Sequence, residues 1–253
     1  MTPGTPTIAA LGRSLAMLEA ILADRDGRSL TAIAQAIGLP RATAHRQVTT
    51  LVAERFLARL PGGHFGPGPR LLALLQMVDA KQVITAAAAK VLHRLAGKVG
   101  SIVQLGTLEG DMVTYRIKTG RGAKALFTRT GLQLEAYCSG IGKVLLAWLP
   151  EAERRAYLAA GPFVALTART ITDPALLAVV LDQVRARGYA TDEGEIVDDL
   201  ECLAVPIFHP DGSVPAAISL SRLTGRGKTP AAESLLPLLR GAAQEIAATA
   251  FTF

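Results

Sequence analysis

Ser29 to Leu57 reads SLTAIAQAIGLPRATAHRQVTTLVAERFL, and its apolar spacing predicts two short helices separated by a Gly-containing turn and followed by an extended hairpin. Ile33 and Ile37 fall on one face of the first helix, which begins near Ser29 or Thr31 because either side chain can accept a hydrogen bond from an unpaired first-turn amide. Gly38 ends that helix, and Leu39 is expected to be buried in the turn. Pro40 has no amide hydrogen to leave unpaired, which suits the opening of the second helix. There Ala44, Val48, Leu51 and Val52 recur at helical spacing and form the packed face. The layout is that of a winged helix-turn-helix, with the opposite face left for DNA.

On that opposite face, near the start of the second helix, stand Arg41, Ala42, Thr43 and Arg46, with His45 and Gln47 at its margin. These types can read base edges: Arg bonds guanine in two places, Gln does the same to adenine, and a Thr or Ala methyl meets the thymine methyl. A lone helix with such a face is more often simply solvated. Charge favours the DNA reading, because eight Arg and no Lys stand against four acidic residues up to Arg70, a net +4 in a chain whose total is +6. Phosphate contact requires such an excess on the DNA-binding segment.

With 253 residues, half of them hydrophobic, the chain has material for two cores. Two cysteines, Cys138 and Cys202, are too few for a disulfide framework, and the start MTPGTPTIAALGR lacks a basic segment followed by a long apolar run, so a cytoplasmic protein is expected. No apolar run approaches the roughly 20 residues that a membrane span needs.

Outward from the decisive stretch, Met1 to Thr7 reads as a mobile tail. Ala9 to Ala23 is a bracing helix with Leu11, Leu15, Leu18, Ile21 and Leu22 on one stripe. Phe56 to Arg59 and His64 to Phe65, joined by Leu60-Pro61-Gly62-Gly63, form the wing, and Gly66-Pro67-Gly68-Pro69 leads into a helix over Arg70 to Val78. Further on, Ser101 to Leu108 pairs with Met112 to Lys118 as a hairpin, and Cys202 to Phe208 pairs with Val214 to Ser221 across the turn His209-Pro210-Asp211-Gly212. Helices are expected near Ser139 to Trp148, Glu151 to Ala160, Pro174 to Arg187 and Ala231 to Ala250, so the fold class is α+β.

The chain resembles the IclR family of bacterial transcription regulators from its first helix to its carboxyl terminus. The resemblance rests on GLPRATAHRQVTTLVAERFL, GPGPRLLAL, AYCSGIGKVLLAWLP, RGYATDEGEIVDDLECLAVPIF and AAISLSR, in that order. It implies a winged helix-turn-helix over 1–68, a linker helix over 69–82, and an effector-binding domain over 83–253 with a curved antiparallel sheet of the GAF or PAS kind. It implies assembly as a homodimer or a dimer of dimers, operator DNA and a small organic acid as partners, and no cofactor. By the same resemblance, effector contacts fall on Gly140, Ile141, Asp192, Cys202, Ser219 and Ser221, with apolar walls from Ala123, Leu126, Leu134 and Leu200.

The residue types fit that assignment. Small residues in Tyr137-Cys138-Ser139-Gly140-Ile141-Gly142-Lys143 open a helix whose exposed amides favour an anion, although Gly there equally allows close packing of helix on sheet. It is not a Walker phosphate loop, since Tyr137 stands where the first Gly is needed and Val144 where Ser or Thr is. Ser219 and Ser221 are two apart on one strand and face the same way. Asp192 would repel a carboxylate and is better placed opposite a hydroxyl or hydrated carbonyl. Two rival classes are a ligand-independent architectural DNA-binding protein and a Cys- or Ser-dependent enzyme. The enzyme lacks support from spacing: His45 and His64 belong to the DNA-binding part, His93 to a helix and His209 to a turn, leaving neither cysteine an obvious base and no cluster with metal spacing.

Overall fold

The computed structural model describes residues 7–77, 79–124, 126–223 and 232–251, and its chain divides into two compact units, Met1–Asp79 and Ala80–Phe253. The tail up to residue 6 and the expected helix start at Ala231 lie outside the described residues; Thr7 is exposed.

In the first unit, helices α1 (Ala9–Ala23), α2 (Leu30–Ala36) and α3 (Arg41–Ala53) precede a two-stranded hairpin, β1 (Leu57–Arg59) with β2 (Phe65–Pro67), and then α4 (Pro69–Met77). Ser29 caps α2, its Oγ accepting from the Ala32 amide at 3.2 Å. Gly38 turns the chain with φ +68°, a conformation open to Gly at little cost. Pro40 stands one position before α3 rather than inside it, and its carbonyl accepts from the Ala44 amide at 3.0 Å. Met17, Leu18, Ile21, Ile33, Ala34, Ala44, Val48 and Leu57 make the core of the unit. The α1 stripe is narrower than its periodicity predicts: Leu11, Leu15 and Leu22 are exposed, and Met17 takes the buried place between Leu18 and Ile21. Leu39 is half-buried against this core rather than fully buried in the turn.

The expected linker helix over 69–82 is interrupted. Helix α4 ends at Met77 and a new helix, α5 (Ala80–Val99), opens the second unit. There follow β3 (Ile102–Glu109), β4 (Met112–Thr119), β5 (Gln133–Glu135), α6 (Gly140–Ala147), α7 (Glu151–Ala159), α8 (Pro174–Arg187), β6 (Ala190–Glu193), β7 (Leu200–Ile207), β8 (Ala216–Leu223) and α9 (Leu236–Phe251). The six strands form one antiparallel sheet in the order β5-β4-β3-β8-β7-β6. Alternation along the strands sends Val103, Leu105, Leu203, Val205, Ile218 and Leu220 to a core with α5 and α9. Tyr115, Ala190, Ala204 and Ala217 face the other way, into a core with α6 and α8. Small side chains on this second face let α6 lie close to the sheet: a Cβ built on Gly140 would touch the Cβ atoms of Ala204 and Cys202 at 3.4 and 3.5 Å. Among the described residues no helix is long and apolar enough by itself to cross a membrane.

Candidate functional site

The exposed face of α3 carries Arg41, Ala42, His45 and Arg46, while Thr43 and Gln47 are half-buried. Thr49 and Thr50 bond back to the carbonyls of His45 and Arg46 at 2.8 and 3.0 Å, which ties up their hydroxyls on the helix itself. Arg41, His45 and Arg46 in the N-terminal half of α3 are exposed. Gln47 is less available than its spacing implies, since its Oε1 is buried, and it lacks a hydrogen-bond partner among the described residues. At the wing, the Arg59 guanidinium lies over the Phe65 ring at 5.7 Å.

In the second unit the register places Ile102, Ser221, Cys202 and Asp192 in one row across β3, β8, β7 and β6, and Gln104, Ser219, Ala204 and Ala190 in the next. Both rows face the N-terminus of α6, because paired residues of adjacent strands share a face. Ser139 Oγ caps α6 by accepting from the Gly142 amide at 3.0 Å, and the Ser139 carbonyl accepts from Lys143 at 2.8 Å. Of the four first-turn amides, those of Gly140 and Ile141 are left to meet a ligand.

A narrow cavity gathers Gly140, Ile141, Asp192, Cys202, Ser219, Leu126 and Leu200 with Gln104, Tyr115, Phe127, Thr128, Ser139 and Ile196. Its free space is only about 10 Å³, room for about one water, so a ring or chain enters only if the walls part. Three expected contacts lie off the cavity wall. Ala123 packs behind it with Ile102, Leu126 and Leu200, and Leu134 sits further along the same face on the edge strand β5. Ser221 is engaged: its hydroxyl donates to Gln104 Oε1 at 2.9 Å and meets Cys202 Sγ at 3.2 Å, so Ser219 alone of the pair lines the cavity.

Gln104 and Thr128 belong to the site although sequence reasoning passes over them. The buried Gln104 amide joins Ser221 on one side to Thr128 Oγ1 on the other, donating to the latter at 2.8 Å. Lys118 Nζ donates to the Leu126 carbonyl at 2.7 Å and to that of Thr128, clasping the same segment. A polar residue amid strand residues was the available signal for Gln104.

Behind Asp192 is a second group that sequence reasoning missed. Lys143 and Glu195 form an ion pair with side chains only 3% and 10% exposed, joining α6 to the turn after β6. The Glu195 amide donates to Asp192 Oδ1 at 2.7 Å, whereas Asp192 Oδ2 and Glu195 Oε2 are buried without a hydrogen-bond partner among the described residues. Burial raises both carboxyls above their ordinary range, against the opposing pull of Lys143 and, for Asp192, of its backbone bond to Glu195. Burial, with the Asp192 charge second, likewise raises the Cys202 thiol, which opposes any role as a thiolate. Burial pushes Cys138 up to about 12. Among the described residues no group of three His, Cys, Asp or Glu side chains is placed to hold a metal.

A basic recognition helix beside a wing, and a separate unit with a polar cavity at a helix N-terminus, define a DNA-binding regulator with a ligand-binding domain. Residues 10–61 match the IclR helix-turn-helix domain and residues 76–248 the bacterial transcriptional regulator IclR C-terminal domain. The chain belongs to the IclR family. The transcriptional regulator XynR of Escherichia coli K12 is 32% identical over 87% of this chain and 88% of its own length. The Pca regulon regulatory protein of Pseudomonas putida is 29% identical over 94% and 82%. An IclR homolog from Microbacterium hydrocarbonoxydans, solved with 4-hydroxybenzoate, superposes with TM-score 0.62 at 28% identity, covering 95% of this chain and 98% of that one. The proteins of this family are transcriptional regulators rather than enzymes.

Proposed function

We propose that this regulator controls a catabolic operon in response to a small organic acid, an aromatic or hydroxy/keto acid, held in the cavity at the N-terminus of α6. The observation that carries this reading is the pairing of opposite needs there. The Gly140 and Ile141 amides suit a carboxylate, while Asp192 Oδ2, buried and without a partner among the described residues, suits a hydroxyl donor. Leu126, Leu200, Ile196 and Phe127 offer an apolar body contact worth on the order of 25 cal/mol for each Å² removed from water. The relative solved with 4-hydroxybenzoate takes a ligand of this chemistry. Parting of the loop that carries Leu126 to Thr128 admits the ligand, and a ligand that prefers one conformation of the domain shifts its population. Calorimetry with 4-hydroxybenzoate and its methyl ester tests the reading. The acid is expected to bind at least about fivefold more tightly, because charge-assisted bonds exceed neutral ones by about 1 kcal/mol or more. Equal affinities would remove the helix amides from the site.

On DNA, the protein binds a roughly palindromic operator as a dimer, since one recognition helix covers too few base pairs for genomic selectivity. Arg41→Ala and Arg46→Ala are each expected to cost about 1–3 kcal/mol of binding where the side chain meets a guanine, with relaxed base preference at that position. Footprints and affinities unchanged in both variants would overturn the role of this helix face. A ligand-independent architectural protein would bind DNA identically with and without effector.

A further inference from the structure

The cluster behind the cavity holds two buried carboxyls and one lysine. Lys143 is shared: it forms its ion pair with Glu195 and reaches Asp192 only through its charge, while Asp192, on the cavity wall, has its Oδ1 held by the Glu195 amide and its Oδ2 buried without a hydrogen-bond partner among the described residues. The other groups around it offer no counter-charge. Cys202 faces it from β7, Tyr115 from β4 and Cys138 from the turn before α6, all neutral with their acidities weakened chiefly by burial, and Glu193 beside it is acidic. An effector carboxylate at the Gly140 and Ile141 amides adds another negative charge to the same water-poor space. A buried charge with no partner is neutralised by a proton more cheaply than it is tolerated.

We infer that Asp192 exchanges a proton when effector binds and thereby selects the oxidation state of the effector, with Lys143 and Glu195 as the positioning residues that set its proton affinity. The inference rests on the effector-site reading above. Ionised, Asp192 Oδ2 accepts a hydrogen bond from a ligand hydroxyl and rejects a carbonyl oxygen. Protonated, it donates to a carbonyl oxygen. Binding a hydroxy acid therefore favours loss of the proton and strengthens as pH rises, whereas binding the matching oxo acid favours retention and weakens as pH rises. Burial already lifts the Asp192 carboxyl above its usual range.

Two measurements on the full chain test this. The first is the carboxyl-carbon NMR titration of Asp192, assigned by its loss in Asp192→Asn. The midpoint is expected above the ordinary aspartate value of about 3.9 and is expected to fall in Glu195→Gln, where Lys143 is left to Asp192 alone. The second is calorimetry from pH 5.5 to pH 8.5 with 2-hydroxy-2-phenylacetate and 2-oxo-2-phenylacetate, which differ by two hydrogens at the carbon beside the carboxylate. The ratio of hydroxy-acid to oxo-acid affinity should rise with pH in the wild type, by up to about tenfold per unit across the Asp192 midpoint, and stay flat in Asp192→Asn. An ordinary midpoint that Glu195→Gln leaves in place overturns the proton switch whichever acid binds. Two bound acids with parallel pH profiles overturn it as well. A raised, Glu195-sensitive midpoint with neither acid bound overturns instead the assignment of the cavity to the effector, and the selectivity with it.

Discussion

Lys143→Met is expected to destabilise the second unit by about 3–5 kcal/mol at pH 8, because it leaves the Glu195 carboxylate buried without its ion-pair partner. Trp148, the one tryptophan of the chain, ends α6 one turn beyond Lys143 and reports unfolding of this unit in a denaturant titration. The pH dependence has a definite sign. Glu195 already sits above its ordinary range through burial, and removal of Lys143 raises it further. A carboxyl whose folded pKa exceeds its unfolded value binds more protons in the folded state, so it costs stability above the folded pKa, and that cost disappears as pH falls toward the unfolded value. The variant should therefore lose least at about pH 5 and most at pH 8, and the double variant Lys143→Met/Glu195→Gln should recover much of the loss. A uniform loss across pH would show that the methylene stem of Lys143, not its charge, matters.

Gly142→Ala is expected to cost about 3 kcal/mol, against the gain of up to about 1 kcal/mol that Ala brings to an open helix position. A Cβ at this position would lie 2.0 Å from the Ala136 carbonyl oxygen and 2.5 Å from the Ala136 Cα, both backbone atoms that yield only if α6 lifts from the preceding turn. Gly140→Ala makes the contrast two residues earlier. Its Cβ meets the side-chain Cβ atoms of Ala204 and Cys202 at 3.4 and 3.5 Å and the Ala190 carbonyl oxygen at an ordinary 3.9 Å, so thermal stability should change by less than about 1 kcal/mol while the cavity narrows. Equal melting temperatures for Gly142→Ala and the wild type would contradict the close approach.

The helix-turn-helix was legible because its signals are local: a cap at Ser29, a Gly at the turn and apolar residues at helical spacing. The same logic overreached on α1, where periodicity marks which residues share a face but not how wide a strip the neighbouring helices cover, leaving Leu11, Leu15 and Leu22 exposed. Strands β5 and β6 escaped notice because Gln133–Glu135 and Ala190–Glu193 carry few β-forming side chains and are strands by virtue of their partners β4 and β7. At the site, resemblance supplied most of the cavity wall. The polar chain from Cys202 through Ser221 and Gln104 to Thr128, and the pairing of Lys143 with Glu195 from 52 positions away, depend on strand register and helix docking that no local pattern encodes.

The sheet order has a kinetic consequence. The hairpin β3-β4 and the hairpin β7-β8 are each quick to form, but they join through β3 and β8, which brings Gln104 opposite Ser219 across more than a hundred intervening residues. The cavity-lining groups lie on both sides of that seam, with Gln104 on one strand and Ser219, Cys202 and Asp192 on the others. A chain still emerging from the ribosome therefore has no such cavity until β8 arrives, and an effector bound there as proposed can stabilise only molecules whose seam has closed. With the effector site proposed above, sensing is in this way reserved for finished protein.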